Sequence, residues 1–380
     1  MMSRRLAYPL LAVALLAAAA RTYTRATPPI SSHQVLIPAG VSAPSTPVNL
    51  RTFLPEAGAS VHAATLAELP DGAIACAWFA GSREGGADVA VYLSHWQQGN
   101  WSKPLAIADR LQTQIDTARL TRKVGNPVLA VDASGRLHLW YVSTSVGGWS
   151  TSAVNHRVSA DGGQSWSAAR RLISAPFFNL STLVRTLPLP LADGGFILPT
   201  THELLTKHGE MTRVDSDGMV LYKQRLPANQ PMDQPAMAPL PEAGGFLTLF
   251  RDPGEEPRHI GVASFSDAAG RWQTQPSLPV ENPDASIALI RLHDGRLLLA
   301  CNPMQGRSKL SLLLSEDGGR SWPEVLVVED GPEKSNEYSY PTLLQDRTGM
   351  VHLVYTWNRQ KIAHRLISPA ALGISPGRRG

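Results

Sequence analysis

Two cysteines in 380 residues, Cys76 and Cys301, rule out a disulfide scaffold, and neither has the spacing of a zinc site. Both lie inside apolar runs in distant parts of the chain, which predicts two buried free thiols. The chain also lacks a glycine-rich phosphate loop, a Ser-His-Asp pattern and a Cys/His cluster, so neither cofactor nor metal is expected. Charge of one sign is scarce. Thirty-five Lys and Arg stand against 31 Asp and Glu, a net charge of +4 with no long charge run, which excludes the balance of a nucleic-acid-binding protein. No feature points to a protein partner. The repeating units described next contain no stretch of helical periodicity.

Turn formers are plentiful, with 31 Gly and 30 Pro, and they are arranged periodically. Ser159-Ala160-Asp161-Gly162-Gly163-Gln164-Ser165-Trp166 and Ser315-Glu316-Asp317-Gly318-Gly319-Arg320-Ser321-Trp322 are one pattern, Ser-x-Asp-x-Gly-x-x-Trp, written twice. Asp accepts backbone N–H groups, Gly supplies positive φ, and the Trp buries a large ring, which together describe a structural turn between strands. Degraded copies run over 94–101, 215–218 and 266–272. A second hairpin type recurs at Leu69, Val131, Ala192, Pro241, His293 and Gln345, six copies about 50 to 60 residues apart. Two hairpins per unit make four antiparallel strands, and six units predict an all-β, six-bladed β-propeller. The regular spacing disfavours a pair of β-sandwiches. The sixth unit lacks its fourth strand, and His33-Gln34-Val35-Leu36-Ile37-Pro38 is expected to supply it and close the ring.

Residues 1–20 read as an export signal or N-terminal anchor: Arg4 and Arg5, an apolar stretch from Leu6 to Leu16, then Ala17–Ala20. An exported, periplasmic or secreted protein is expected, and removal of this segment leaves +2 of the net charge. Residues 21–47 form a Pro/Ser/Thr-rich lead, and 48–370 the propeller.

Propellers place ligands over the central channel, at the ends of the innermost strands, and there the residues become specific. Phe79-Ala80-Gly81-Ser82-Arg83-Glu84-Gly85-Gly86-Ala87-Asp88, Arg251 after Phe246–Phe250, Arg307 after Asn302, and Asn336-Glu337-Tyr338-Ser339-Tyr340 each resemble a segment of the sialidase (neuraminidase) superfamily, in its bacterial branch with Asp-box repeats. The resemblance covers about residues 50 to 367. It implies an exo-α-sialidase type of glycoside hydrolase acting on the terminal acidic sugar of a glycan or exopolysaccharide. It implies Asp88 as general acid or base beside Arg83, Tyr338 as nucleophile, and Arg251 with Arg307 as ligands of the substrate carboxylate. A guanidinium fork suits a carboxylate, and a phenol, weak at its free pKa, needs a base partner.

The chain departs from the family pattern at two places. His62, in Ser60-Val61-His62-Ala63-Ala64, stands where the family has an arginine. Asp233 and Gln234 stand where it has the glutamate that activates the tyrosine. Glu203 and Glu337 are further carboxylates for that task. A histidine moves protons near neutral pH, so His62 with Tyr338 describes a second reading, a polysaccharide lyase acting next to a uronate carboxylate. A glycan-binding propeller without chemistry is the third. By repeat phase Arg122, Asn126, Arg185, Asn282, Ser286, Arg359 and Lys361 share the rim, with Arg185 and Asn126 the foremost sugar ligands.

Overall fold

The computed structural model describes residues 9, 11–17, 34–36, 44–146, 148–175, 179–204, 206–240, 245–266, 271–304, 306–333 and 335–374. Six antiparallel sheets stand around one axis as a six-bladed propeller. The innermost strands are Ser60–Glu68, Lys123–Val131, Thr182–Val184 with Leu189–Pro190, Asp233–Pro239, Ala288–Arg291 and Tyr338–Gln345, one for each of blades one to six. Strands buried on both faces read as unbroken apolar runs, whereas edge strands need not. Ile74–Gly81 and Leu297–Cys301, second in their blades, are buried at every position, while the outer strand Glu324–Asp330 is mostly open.

The core is divided into six parts, each the seam between two adjacent blades. Leu93 and Val91 of blade one pack with Leu129 and Leu139 of blade two. The last seam joins Val354 and Ile362 of blade six to Leu66 and Trp78 of blade one. Burying one such side chain stabilises the fold by about 1.5–3 kcal/mol. Cys76 and Cys301 are buried free thiols in blades one and five, as expected.

All six predicted hairpins join the first and second strands of their blades, although Pro241–Gly244 lie outside the described residues. The two Ser-x-Asp-x-Gly-x-x-Trp turns join third and fourth strands and repeat one bond pattern. Asp161 accepts from the Ser159 hydroxyl (2.7 Å) and the Ser165 N–H (2.9 Å), and Trp166 donates to the Gly163 carbonyl (3.0 Å). Asp317, Ser315, Ser321, Trp322 and Gly319 reproduce it. The second glycine is required by packing as well as by φ: a Cβ on Gly163 would stand 2.3 Å from Leu93, and one on Gly319 2.5 Å from Leu247, each on the preceding blade. These turns therefore seat one blade on its neighbour.

The closing strand is not the one expected. Asn49–Phe53 pairs with Lys361–Ile367, from Asn49 opposite Ile367 to Phe53 opposite Ala363, and completes blade six. Asn49–Phe53 leads directly into blade one, so its pairing closes a short connection. Val35 instead bridges Leu191 in blade three, and His33, Ile37 and Pro38 lie outside the described residues. The connection between blades one and two carries a short helix, Arg110–Thr117, that no periodic pattern signals: Leu111 and Ile115 face solvent and only Thr113 is buried.

Blades two and six share a further device. Asp132 accepts from Nε2 of His138 (3.1 Å), whose Nδ1 therefore accepts from Nε2 of His156 (2.9 Å). Asp346, His352 and His364 repeat it at 3.1 and 3.0 Å. Burial pushes His156 and His364 down to about 3. A depressed histidine pKa gives stability that is present above the unfolded value near 6.5 and is lost as pH falls through that window. Unfolding free energy is expected to fall steadily from pH 6.5 to 4. Replacing His364 by Gln should lessen the slope by about 1.4 kcal/mol per pH unit; an unchanged slope in denaturant titrations would count against a neutral dyad.

Candidate active site

Each innermost strand begins with one non-glycine residue in the left-handed region: Ala63 (φ 52°), Asn126 (46°), Ser181 (59°), Gln234 (45°), Asp284 (53°) and Tyr340 (54°). In four blades the ladder slips there, between His62 and Thr65, Gly125 and Val128, Asp233 and Ala236, and Ser339 and Thr342. Such a bulge inserts a residue, bends the strand and re-aims side chains. It costs about 1–2 kcal/mol at a non-glycine residue. Four blades therefore carry a bulge at the mouth end of the innermost strand, and in blades three and five the left-handed residue precedes the strand.

Tyr340 stands on the axis, because it meets residues from four other blades. The His62 ring of blade one lies 4.3 Å from its ring, centre to centre. The guanidinium carbons of Arg185 (blade three) and Arg307 (blade five) lie 5.1 and 5.8 Å from the ring centre, within cation–π range. Nη1 of Arg251, from blade four, donates to its hydroxyl at 3.5 Å. Below Tyr340, Thr186, Met237, Ile287 and Thr342, from blades three to six, line a space of only about 10 Å³.

Tyr338, the expected nucleophile, is elsewhere. It is buried in the seam between blades five and six with Leu310 and Tyr355, and its hydroxyl faces Gly331. The structure therefore unites His62, Arg185, Arg251 and Arg307 around Tyr340 and leaves Tyr338 out. A pair of His62 with Tyr338, on which the lyase reading rested, is not formed.

The charges at the mouth alternate in one chain. Lys207 pairs with Asp233 (3.4 Å), and Asp233 with Arg251 (3.7 Å), which also pairs with Asp284 (2.6 Å). Arg307 donates to the Asp284 carbonyl (2.7 Å) and pairs with Glu337 (3.3 Å). Glu337 pairs with Arg359 (2.7 Å), and Arg359 with Glu84. Burial pushes Asp233 up to about 6, against the pull of Arg251 and Lys207, and its Oδ1 has no hydrogen-bond partner. Burial likewise drives His62 down to about 3, and its Nδ1 is buried without a partner. His62 is thus neutral at neutral pH. Burial raises Glu337 less than Arg359, Ser339 and Arg307 lower it, and its pKa settles at about 2. In Arg251 the burial penalty is outweighed by Asp233, Tyr340 and Asp284, and the guanidinium stays charged.

The other expected residues are distributed around this centre. Arg185 is fully enclosed and donates to the Pro341 carbonyl (3.0 Å) and the Thr342 hydroxyl (3.2 Å), which makes it a support beneath Tyr340. Asn126 and Gln234 are the bulge residues of blades two and four, and the Gln234 amide oxygen is buried without a partner. Glu203 binds Ser181 through its backbone and adds repulsion to Asp233. Asp88 and Arg83 lie on the exposed loop of blade one. The Ser82 backbone N–H (2.7 Å) and hydroxyl (2.9 Å) hold the Asp88 carboxylate below the usual range, so in the ligand-free protein it is ionised and not yet a proton donor. Asn282 spends its amide on Ala285, and Lys361 lies over Phe53. Tyr340 and Asp284 were missed. The sequence held one signal for the tyrosine: Asn126-Pro127, Gln234-Pro235 and Tyr340-Pro341 occupy one repeat phase.

This propeller has the sialidase-superfamily fold. It superposes on a Hadza microbial sialidase with a TM-score of 0.68 at 17% identity, over 81% of this chain and 66% of that one. A protein of unknown function from Dyadobacter fermentans DSM 18053 gives 0.67 at 14%, over 84% and 97%. The intramolecular trans-sialidase of Ruminococcus gnavus gives 0.60 at 12%, over 80% and 94%. Residues 72–353 match the family described as BNR repeat-like domain, and the chain belongs to that family. No curated protein matches it.

A carboxyl pKa raised above its unfolded value of about 3.9 gives stability that is complete below that value and is lost as pH rises through the folded pKa. For Asp233 that window runs from about 3.9 to about 6. Asp233→Asn is therefore expected to raise the melting temperature above pH 6.5 and to leave it nearly unchanged below pH 4. A loss of stability at pH 8 would show the carboxylate to be favourably paired instead.

Proposed function

We propose that the protein is an exported glycoside hydrolase that removes a terminal acidic sugar from a glycan or exopolysaccharide, with Tyr340 as its nucleophile. The observation that carries this reading is the convergence of Arg185, Arg251 and Arg307 on one strained tyrosine on the propeller axis. Fixed cations aimed where charge develops are a large term in catalysis. Arg251 at the phenol oxygen stabilises the charge that gathers there during attack, and the phenol proton would pass through one bound water to Asp233, which lies beside Arg251 and does not itself touch the phenol.

In this reading the Tyr340 oxygen attacks the anomeric carbon as the bond to the leaving oxygen breaks. The leaving oxygen takes its proton from a carboxylic acid, for which Asp88 is the candidate once a bound glycan draws it from Ser82. Water then hydrolyses the glycosyl–tyrosine bond, with configuration retained. Asn126 and Gln234, on the bulges of blades two and four, serve as ligands for sugar hydroxyls. The sialidases among the similar structures favour a sialic acid as the sugar, at identities where only the fold is shared.

Release of 4-methylumbelliferone from its N-acetylneuraminide tests the reading. The wild type should release it, Tyr340→Phe should lose at least about 10³-fold in kcat/KM, and Tyr338→Phe should stay within about tenfold. No release by wild type from this or a glucuronide substrate would sink the hydrolase reading. Loss confined to Tyr338→Phe would restore that residue.

A further inference from the structure

Between blades five and six a cleft of about 540 Å³ opens, lined by Arg307, Glu337, Arg359, Ser308, Asn336 and Asn358, and Arg307 links it to the Tyr340 ring. Its size suits one or two sugar rings. Arg359 holds an uncommon backbone place in it. Trp357 pairs with Lys361 across a three-residue hairpin loop, within which the Gln360 N–H closes a β-turn on the Trp357 carbonyl (3.1 Å). Asn358 (φ 51°) and Arg359 (φ 56°) are both left-handed. Such turns favour Asn followed by Gly. Asn358 meets that preference, whereas arginine stands where glycine would relieve the backbone. Strain of this kind collects at ligand sites.

The guanidinium is held in an oriented, incompletely committed way. Its Nε edge donates to Glu337 (2.7 Å), which is itself fixed by Arg307 and by the Ser339 hydroxyl (2.8 Å). Its Nη1 pairs with Glu84, which reaches across from the exposed loop of blade one. Both of those side chains are about two-fifths exposed, and an ion pair so open is weak and easily exchanged. The Arg359 carbonyl also accepts the Val61 N–H (2.9 Å), which ties this turn to the strand of His62.

We infer that Arg359 is a carboxylate-recognition residue of this cleft, and that Glu84 occupies its Nη edge in the ligand-free protein as a stand-in for the carboxylate of an acidic monosaccharide. Glu337 is then a positioning residue that turns the fork toward the ligand. The inference rests on the proposed acidic-sugar reading, and it adds the cation that His62, being neutral, does not supply.

Binding and turnover separate the two claims. Wild type, Arg359→Gly and Glu84→Gln proteins are titrated calorimetrically with N-acetylneuraminate and with D-glucuronate, each beside its methyl ester. Wild type should bind one acid in preference to its ester. Arg359→Gly should weaken that acid at least tenfold and lose the preference, while melting no lower than wild type because glycine suits the turn. Glu84→Gln should tighten it threefold or more. Equal binding by Arg359→Gly, equal binding of acid and ester by wild type, or no binding by wild type and Glu84→Gln alike would overturn the inference. Binding that obeys it without release of 4-methylumbelliferone from either glycoside would sink the hydrolase reading alone.

Discussion

The left-handed residue near the head of each innermost strand is the constraint on which the site depends. A regular strand sends residues i and i+2 to the same face. Tyr338 and Tyr340 would then share a surroundings, and neither could leave the seam between blades. The left-handed turn at Tyr340 breaks that alternation: Tyr338 remains among Leu310 and Tyr355, and Tyr340 swings onto the axis. Ladder slips of this kind recur in blades one, two and four, and a left-handed residue recurs near the head of every innermost strand. Strain of about 1 kcal/mol or more at each is sustained by the six apolar seams below, which hold the strands too firmly for the heads to relax.

The same geometry explains what was legible in the sequence. Hairpins and Ser-x-Asp-x-Gly-x-x-Trp turns are local devices whose bonds close within eight residues, so their chemistry and spacing set the blade count and phase. The closing strand is a long-range choice. Val35-Leu36-Ile37 is the more strand-like segment by composition, yet Asn49–Phe53 wins because it lies next to blade one in the chain and meets the free edge of Lys361–Ile367. Arg251 and Arg307 were legible through phase, since each comes at or after the second strand of its blade, whereas Arg185 follows the first strand, Thr182–Val184. Tyr340 was not, because a bulge shifts a side chain without changing the alternation of residue types. Only the proline that follows three of the six left-handed residues marks it.

Electrostatics at the mouth follow from packing these side chains close together. The chain from Lys207 through Asp233, Arg251, Asp284, Arg307, Glu337 and Arg359 to Glu84 alternates in sign at nearly every step. Buried cations held this near one another are tolerable only with carboxylates between them. The pairing also fixes each guanidinium before a ligand arrives, which lowers the ordering cost of binding. Glu337 shows the arrangement most clearly, since two arginines from adjacent blades share it and keep its carboxyl at about 2.

Such a mouth differs from a simple basic pocket. Its arginines are matched by Asp233, Asp284, Glu337 and Glu84, and His62 adds no charge, so little net field draws an anion in from a distance. Selection for an acidic sugar must then come from exchange at short range, where a ligand carboxylate replaces one the protein already supplies. The inner pairs are poor candidates for exchange, because a ligand carboxylate would have to be desolvated against Arg251, whose side chain is only 11% exposed. The exposed pair of Arg359 with Glu84 carries no such penalty. The weakest link of the charge chain is therefore also the one that faces the open cleft, and a ligand can displace it while the buried pairs stay in place.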